Sequence, residues 1–327
     1  MSKLICRASR ALLALAATLC GGAAVAQGPA YPSHNVTFIV PFTPGSGADI
    51  VARILVPKLA ERWGVGVITD NRSGASGNIG AELVAKAAPN GYTLMLTATT
   101  FTSNPAVIPR IPFDPVTSFA PVVMTGTGGV SLSVNPGLPA HTLREFIDLI
   151  RSAPGKYYYA SPGNGGPQHL AMELLKLEAG IDIVHVPYKN TNGAVTDLVA
   201  GHAQAMMLPI HTAAPFVRSG RLRMLAVMNP ERSPLFPEVP SVNEQGLALP
   251  AIDTWYAVFA PAGAPAAVIA KLNTDINALL REPDVRESFA RQGIAPAGGT
   301  PGQLGERVKK EVALWARVVK EAGIKAD

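Results

Sequence analysis

Cysteine is almost absent from this sequence. The 327 residues contain two cysteines, Cys6 and Cys20, and both lie within the first 26 residues. A chain that begins after residue 26 therefore has no cysteine and cannot form a disulfide, even in an oxidising compartment. Its stability has to come from apolar burial, and a chain of this length with 48% hydrophobic residues is ample for a core and two lobes.

Charged and aromatic residues are also scarce, at 16% and 6% of the chain. No run of Lys or Arg occurs and basic residues do not alternate with aromatic ones, so nothing indicates nucleic-acid binding. Without Lys3, Arg7 and Arg10, which belong to the N-terminal segment, the formal net charge falls from +5 to +2. No later apolar stretch is long enough for a membrane span. The histidines show no metal-ligand pairs, so we expect neither a metal nor a cofactor.

The first 26 residues have the three parts of a secretory signal peptide. A basic start precedes an apolar run over residues 11–19, which is too short to cross a membrane, and residues 24–26 match a small-residue cleavage site. Cleavage after Ala26 predicts a periplasmic protein. A lipid anchor on Cys20 is the weaker alternative, because Leu19 stands where that signal needs a small residue.

A strand-to-helix turn follows soon after the predicted cleavage site. Residues 36–40 form a short apolar run typical of a buried strand, and from Ile50 onward apolar residues recur at helical spacing. Between them, Gly45 and Gly47 allow a bound group to approach the backbone. The N–H groups of the first helical turn suit an anion, and Asp49 would cap the helix or shape the turn. An ordinary turn of an α/β domain fits the same residues equally well.

Strand-like and helix-like segments alternate along the chain, which predicts an α/β fold with a doubly wound sheet. Ligands of such folds bind at the carboxyl ends of the strands. We therefore expect three loops to meet there, at residues 43–49, 72–78 and 99–104. Residues 105–121 contain several prolines and no clear period, which predicts a surface connection.

The pattern of strand, glycine-rich turn and helix occurs a second time at residues 157–179. Two such turns could face each other across a cleft between two lobes. We expect lobe 1 over residues 27–125 and 255–327, and lobe 2 over residues 126–254. An apolar stripe on the predicted last helix, residues 304–322, would dock on lobe 1.

Catalytic motifs are weak in this sequence. Ser161 lacks the flanking glycines of a nucleophile elbow, although Ser161, His169 and Asp197 could be combined into a Ser/His/Asp triad. Nothing in their spacing requires that triad, so a serine-dependent hydrolase is a minor alternative and we expect no enzyme. Residues 74–80 resemble a dinucleotide-binding fingerprint, but the first two glycines are three residues apart rather than two.

Three motifs carry a family resemblance. They are Pro-Gly-x-x-x-Asp at residues 44–49, Asn-Gly-Tyr at residues 90–92 and His-Val-Pro-Tyr-Lys at residues 185–189. These motifs resemble the Bug, or TctC-type, receptors, which are the solute-binding proteins of tripartite tricarboxylate transporters, and the resemblance extends from about Tyr31 to the C-terminus. It implies a two-lobed periplasmic binding fold of type II, in which each lobe is a doubly wound mixed sheet with flanking helices and the lobes close on a small carboxylate.

The resemblance also implies a set of ligand-binding residues. Family members hold the carboxylate mainly with backbone N–H groups and waters from the two glycine-rich turns, and neither turn here contains an arginine. The implied residues are Thr43, Gly45, Ser46, Gly47, Asp49, Ser161, Gly163, Asn164, Gly165 and His169. The expected site also includes Thr99 and four candidates for the cleft wall, Phe42, Thr100, Tyr188 and Leu208. His169 would lie just behind the second turn, and Trp255 is a further candidate for the cleft wall.

Three residues depart from the family pattern. Ser46 stands where the family usually repeats glycine, Asn190 replaces a usual glycine, and Leu208 occupies a position where many members have an aspartate. An acid at that position could pair with an amino group. We therefore expect that the ligand of this protein is not an amino acid.

The partners implied by the resemblance are a small carboxylate ligand and the membrane subunits of a tripartite tricarboxylate transporter. The receptor would capture the carboxylate and deliver it to those subunits, and we expect it to be a monomer. A periplasmic sensor or scavenger without a transporter is the alternative function.

Overall fold

The computed structural model describes residues 31–324, and the predicted signal peptide lies outside the described residues. The first part of the described chain contains β1 Val36–Val40, α1 Gly47–Trp63, β2 Val67–Asn71, α2 Asn78–Ala85, β3 Thr93–Ala98, α3 Thr100–Val107 and β4 Phe119–Val134. The middle part contains α4 Leu143–Ser152, β5 Tyr158–Ser161, α5 Pro167–Ala179, β6 Val184–Pro187, α6 Thr191–Ala200, β7 Ala205–Pro209, α7 Ile210–Arg218 and β8 Arg223–Val227. The last part contains β9 Asp253–Pro261, α8 Ala266–Leu279, α9 Pro283–Arg291, β10 Ala295–Gly298 and α10 Pro301–Glu321.

Within residues 31–324, ten strands join in one sheet in the order β2-β1-β3-β9-β4-β7-β5-β6, and β8 and β10 both pair with β4. β1 runs parallel to β2 and β3, and β5 runs parallel to β6 and β7, as expected where helices form the crossovers. β9 lies antiparallel between β3 and β4. Two parallel regions are therefore joined by antiparallel strands, and the sheet is mixed.

The long strand β4 connects the two regions, which we call lobe 1 (β1, β2, β3, β9, β10 and the first part of β4) and lobe 2 (β5 to β8 and the last part of β4). Up to Gly129, β4 pairs with β9; from Val130 onward it pairs with β7 and β8. One 16-residue strand thus carries the chain between the lobes without a loop. The lobe boundaries after residues 125 and 254 stay a prediction.

Each lobe has its own apolar core. In lobe 1 the rings of Phe101, Phe113, Phe119 and Phe259 pack together, and the centroids of Phe101 and Phe119 lie 5.1 Å apart at 83°. Lobe 2 has a larger, mainly aliphatic core, in which residues such as Leu174 are fully buried. A fully buried Phe or Leu contributes about 1.5–3 kcal/mol. These two clusters therefore hold the strands and helices that carry the turns.

Helix α3 corrects the prediction of a loop over residues 99–104. Its threonines and the proline inside it disfavour a helix on local grounds. Tertiary contacts outweigh this preference, because Phe101 is buried in the phenylalanine cluster and the Thr102 hydroxyl donates to Glu311 Oε2 at 2.7 Å. A helix start, rather than a loop, therefore follows β3, and the irregular connection that follows is limited to residues 108–118.

The C-terminal helix α10 packs on both lobes. Val308 lies in the lobe 1 core, whereas Trp315 and Val318 lie in the lobe 2 core. Arg317 also pairs with Glu178 of α5 at 2.7 Å. The expectation that this stripe docks on lobe 1 alone is corrected, because a helix of this length, about 30 Å at 1.5 Å per residue, reaches both cores.

Two of the three departures from the family pattern are helix caps. Ser46 is the N-cap of α1, and its hydroxyl accepts the Asp49 N–H at 3.3 Å. Asn190 is the N-cap of α6, and its Oδ1 accepts the Gly193 N–H at 2.9 Å. Such a side chain satisfies a backbone donor that the start of a helix leaves unpaired. Both residues therefore have a role in the fold itself.

Replacing Ser46 tests this role. We expect Ser46→Ala to lower the free energy of unfolding by about 1 kcal/mol, because α1 loses its cap, and Ser46→Gly to lower it by only a few tenths of a kcal/mol, since glycine is a tolerated N-cap. Urea denaturation followed by circular dichroism measures both values. Equal losses for the two variants would contradict the capping role.

Candidate functional site

Asp49 fixes the shape of the first glycine-rich turn. Its buried carboxylate accepts hydrogen bonds from the Gly45 N–H at 2.8 Å, Arg53 Nε at 2.8 Å and Asn71 Nδ2 at 3.0 Å. The same nitrogen of Asn71 donates to the Phe42 carbonyl at 3.0 Å. Burial raises the pKa of Asp49, but the hydrogen bonds from Arg53, Gly45 and Asn71 outweigh burial and leave the pKa below its ordinary value. An ionised carboxylate therefore holds this turn from behind.

The start of α1 leaves backbone donors free. Ser46 accepts one N–H through its hydroxyl and the Ile50 N–H through its carbonyl at 2.9 Å. Among the described residues, no acceptor contacts the N–H groups of Gly47 and Ala48. Glycine is required at position 47, because a Cβ there would lie 2.1 Å from the hydroxyl oxygen of Tyr256. The first turn thus offers two backbone donors.

Ser161 and two histidines shape the second glycine-rich turn. The Ser161 hydroxyl donates to the Gly163 carbonyl at 2.8 Å and lies 2.7 Å from His185 Nε2. The Gly165 N–H donates to His169 Nδ1 at 2.8 Å. Gly163 and Gly165 have φ of +152° and +68°, in the region that favours glycine. Side chains behind this turn therefore determine its shape.

A cavity of ≈ 380 Å³ lies between the second turn and α3. Its lining residues are Ser76, Thr100, Ser103, Asn104, Val107, Ile108, Pro109, Pro162, Asn164, Gly165, Gly166, Pro167 and Gln168. None of these side chains is charged, so neutral donors would have to hold an anion in this cavity. The two lobes meet at its edge, where a Cβ on Gly165 would lie 2.2 Å from Cγ1 of Val107.

Two side chains of α3 bring polar atoms to the cavity. Thr100 Oγ1 is buried and has no hydrogen-bond partner within residues 31–324. Asn104 Nδ2 donates to the Ser76 carbonyl at 3.0 Å and to Asn78 Oδ1 at 2.8 Å. These bonds hold the 3-10 turn Ala75–Gly77, whose first two residues have φ of +46° and +55°, a conformation that costs about 1–3 kcal/mol per residue. An unsatisfied buried hydroxyl is also costly, and a ligand could satisfy it.

Twelve of the fifteen predicted site residues fall into three groups. Those that line the cavity are Thr100, Asn164 and Gly165. Those that belong to the second turn or lie directly behind it are Ser161, Gly163 and His169. Those outside the cavity lining, in and next to the first turn, are Phe42, Thr43, Gly45, Ser46, Gly47 and Asp49. Phe42 nevertheless lies close by, since a Cβ on Gly77 would be 3.3 Å from its ring.

The remaining predicted residues lie away from the cavity surface. Leu208 is fully buried in the apolar core of lobe 2. The buried Thr99 hydroxyl accepts the backbone N–H of Trp255 at 3.0 Å, and Trp255 itself is fully buried. Tyr188 donates its hydroxyl to Asp197 at 2.7 Å, and burial together with that carboxylate raises the pKa of Tyr188 to about 12. Sequence position alone does not reveal which strand residues face a cleft, because successive side chains point to opposite faces.

The structure does not assemble the hypothetical triad. Asp197 contacts His202 at 3.3 Å rather than His169, and Ser161 is fully buried with its hydroxyl engaged inside its own turn. The histidine next to Ser161 is His185, which is not among the predicted site residues. The pairing of β5 with β6 brings these two residues together, and the sequence alone does not show which strands pair.

The predicted set also omits Ser76, Ser103 and Asn104, which line the cavity. All three belong to segments expected to converge, residues 72–78 and 99–104, so the sequence indicated the segments but not the side chains. Within the part of the chain that the structure describes, no group of three or more His, Cys, Asp or Glu side chains could hold a metal ion. No helix of residues 31–324 combines the length and apolar character needed to cross a membrane.

Similarity to known proteins identifies the family of this chain. Residues 51–324 match the family model described as the tripartite tricarboxylate transporter family receptor, TctC. The protein BugT of Bordetella pertussis is 36% identical over 307 residues, which cover 93% of this chain and 94% of BugT.

Two similar solved structures contain a small carboxylate. An R. palustris protein with adipate is 33% identical, has a TM-score of 0.75, and is matched over 91% of this chain and 100% of its own. MatC from Rhodopseudomonas palustris with bound malate is 31% identical, has a TM-score of 0.70, and is matched over 88% of this chain and 100% of its own.

These matches confirm the predicted α/β fold, a two-lobed periplasmic binding fold of type II. They also confirm the prediction that the protein is not an enzyme, because the family consists of solute-binding receptors, and the hydrolase alternative is excluded. The chain is a member of the TctC family of tripartite tricarboxylate transporter receptors, to which the Bug proteins belong.

Proposed function

We propose that this protein binds a small carboxylate in the periplasm, in the cavity between α3 and the second turn, and delivers it to the membrane subunits of a tripartite tricarboxylate transporter. The observation that carries the proposal is a lining without charged side chains in which neutral donors converge. The similar proteins described with adipate and malate support a carboxylate as the ligand.

Neutral donors are sufficient for such a ligand. The start of a helix combines unpaired N–H groups with the positive end of the helix dipole, and both favour a carboxylate. α5 begins with Pro167, which has no N–H, so the next backbone donor is that of Gln168, whose side chain also lines the cavity. Thr100 adds a hydroxyl from lobe 1. Donors from both lobes would thus share one carboxylate ligand.

The same lining supports a ligand without an amino group. An ammonium group needs an acidic partner when it leaves water, and no acid is found among the residues that line the cavity. Leu208, which replaces a frequent aspartate of the family, offers none either, since it is fully buried. We therefore retain the proposal that amino acids are not bound.

Closure of the lobes is the proposed consequence of binding. The signal peptide would be cleaved after Ala26, lobe 1 would comprise residues 27–125 and 255–327, and lobe 2 residues 126–254. A ligand bonded to both lobes stabilises the closed form, because only that form satisfies all of its hydrogen bonds. The contact between Gly165 and Val107 supports a close approach of the lobes at this point.

A thermal-shift screen tests the ligand class. The mature protein is unfolded and refolded to remove any carried ligand, then mixed with adipate, malate, succinate, aspartate, glutamate or a neutral diamide. A ligand at about one hundred times its Kd adds about 2.7 kcal/mol of stability, so binding carboxylates should raise Tm clearly. No shift with any carboxylate would contradict the proposal. Binding of aspartate or glutamate without binding of their deaminated analogues would contradict the exclusion of amino acids.

The variant Thr100→Val should change the affinity for the carboxylate ligand without lowering the stability of the protein. Losing a hydrogen bond to a charged ligand should weaken binding roughly 10- to 150-fold, whereas stability should stay constant or rise because an unsatisfied buried hydroxyl is removed. The matched control is Thr125→Val, because the buried Thr125 hydroxyl donates to the Tyr256 carbonyl at 3.0 Å. The control should lose stability and keep affinity. Calorimetric titration and urea denaturation measure the two quantities, and unchanged affinity in Thr100→Val would remove Thr100 from the site.

Gly165→Ala tests the approach of the lobes. A Cβ at position 165 meets Val107, so we expect weaker ligand binding in addition to a strain of about 1 kcal/mol from the positive φ. Gly220→Ala is the matched control, because Gly220 has a similar φ of +71° and nothing within 4 Å of its Cβ position. Adding Val107→Ala to Gly165→Ala should restore binding. If Gly165→Ala and Gly220→Ala bind adipate and malate equally well, the lobes do not close through this contact.

A further inference from the structure

Two stacked histidines lie behind the second turn. The ring centroids of His169, on α5, and His185, on β6, are 3.8 Å apart with an interplanar angle of 13°. Each contacts the turn through one nitrogen, since His169 Nδ1 accepts from Gly165 and His185 Nε2 faces the Ser161 hydroxyl. The position of the protons on each imidazole therefore decides whether that ring can make its hydrogen bond to the turn.

The contact with Gly165 fixes the proton of His169. A backbone N–H can only donate, so the Nδ1 atom that accepts it at 2.8 Å carries no proton. The neutral ring then has its proton on Nε2, which lies 3.9 Å from Glu173 Oε1. Protonation at Nδ1 would place two N–H donors against each other and break the bond to Gly165.

The contact of His185 behaves differently. The Ser161 hydroxyl donates to the Gly163 carbonyl at 2.8 Å, and with its proton in that position its oxygen would accept from His185 Nε2 at 2.7 Å. His185 can make this contact both as a neutral ring and as a cation, because Nε2 carries a proton in either form. Stacked at 3.8 Å, two cationic rings would repel each other.

The other titratable groups around the pair form a network on β5 and α5. Glu173 Oε1 accepts the Tyr159 hydroxyl at 2.5 Å and Lys176 Nζ at 2.9 Å, and the Tyr159 ring stacks on His185 with centroids 4.8 Å apart. Lys176 already neutralises much of the Glu173 charge. Tyr159 and Lys176 thus share the carboxylate oxygen that lies 3.9 Å from His169 Nε2.

We propose that His169 and His185 are positioning residues for the second turn, and that His169 fulfils this role only as the neutral imidazole. The inference rests on the proposed carboxylate function. It predicts that carboxylate affinity falls as the pH drops through the pKa of His169, which is opposite to the trend expected if a histidine cation touched the ligand. Affinity at about pH 5.5 should therefore be lower than at about pH 7.5.

A ligand-free experiment tests the hydrogen bond itself. ¹⁵N NMR of the mature chain should show neutral His169 with its proton on Nε2, and the Gly165 amide resonance should shift with the titration of His169 between about pH 8 and about pH 5.5. His169→Gln should abolish that shift. A neutral His169 that carries its proton on Nδ1, or a Gly165 amide that does not respond, would overturn the inference, whatever the protein binds.

A binding experiment tests the consequence. Adipate and malate are titrated calorimetrically into the wild-type protein, His169→Gln and His185→Gln at about pH 7.5 and about pH 5.5. The wild type and His185→Gln should bind more weakly at the lower pH, whereas His169→Gln, which keeps an acceptor but cannot become a cation, should bind equally well at both. Equal pH dependence in the wild type and His169→Gln would overturn the inference. If His169→Gln does not fold, the NMR titration of the wild type still tests the hydrogen bond between Gly165 and His169. If neither adipate nor malate binds the wild type, the proposed function is contradicted, and the NMR titration tests the role of His169 independently.

Discussion

A carboxylate that leaves water needs several hydrogen-bond donors in place of its hydration, and the proposed ligand would place this demand on the cleft. In the described residues that line the cavity no cation is available, so the donors have to come from hydroxyls, amides and the starts of helices. Backbone donors reach a ligand only where no Cβ intervenes. Gly47 and Gly165 also leave no room for a Cβ, which would collide with Tyr256 at the first position and with Val107 at the second.

A turn rich in glycine has little shape of its own, and each of the two turns is held from behind by polar side chains. In lobe 1, Asp49 and Asn71 hold the turn, and the hydrogen bonds keep the carboxylate of Asp49 ionised. In lobe 2, His169 and His185 take that role. The hydrogen bonds that keep Asp49 ionised do not involve His169, so the turn of lobe 1 should stay constant when the proposed protonation of His169 changes that of lobe 2.

The three residues expected to distinguish this chain from its family each have a role in the fold. Ser46 and Asn190 cap helices, and Leu208 fills a core. The proposed selectivity instead depends on α3, which Glu311 of the C-terminal helix holds through Thr102. Because the same helix packs on both lobes, the position of the cavity wall is linked to the packing of the lobes.

The sequence by itself determined what depends on neighbouring residues. It indicated the two glycine-rich turns after strands, the place of Asp49 in the first of them, and the family. Only the tertiary structure decided that α3 is a helix and that Ser161 meets His185. The physical reason is that caps and turns are set by local hydrogen bonds. Contacts between distant segments depend instead on strand order and register and on buried apolar area, which override local preference.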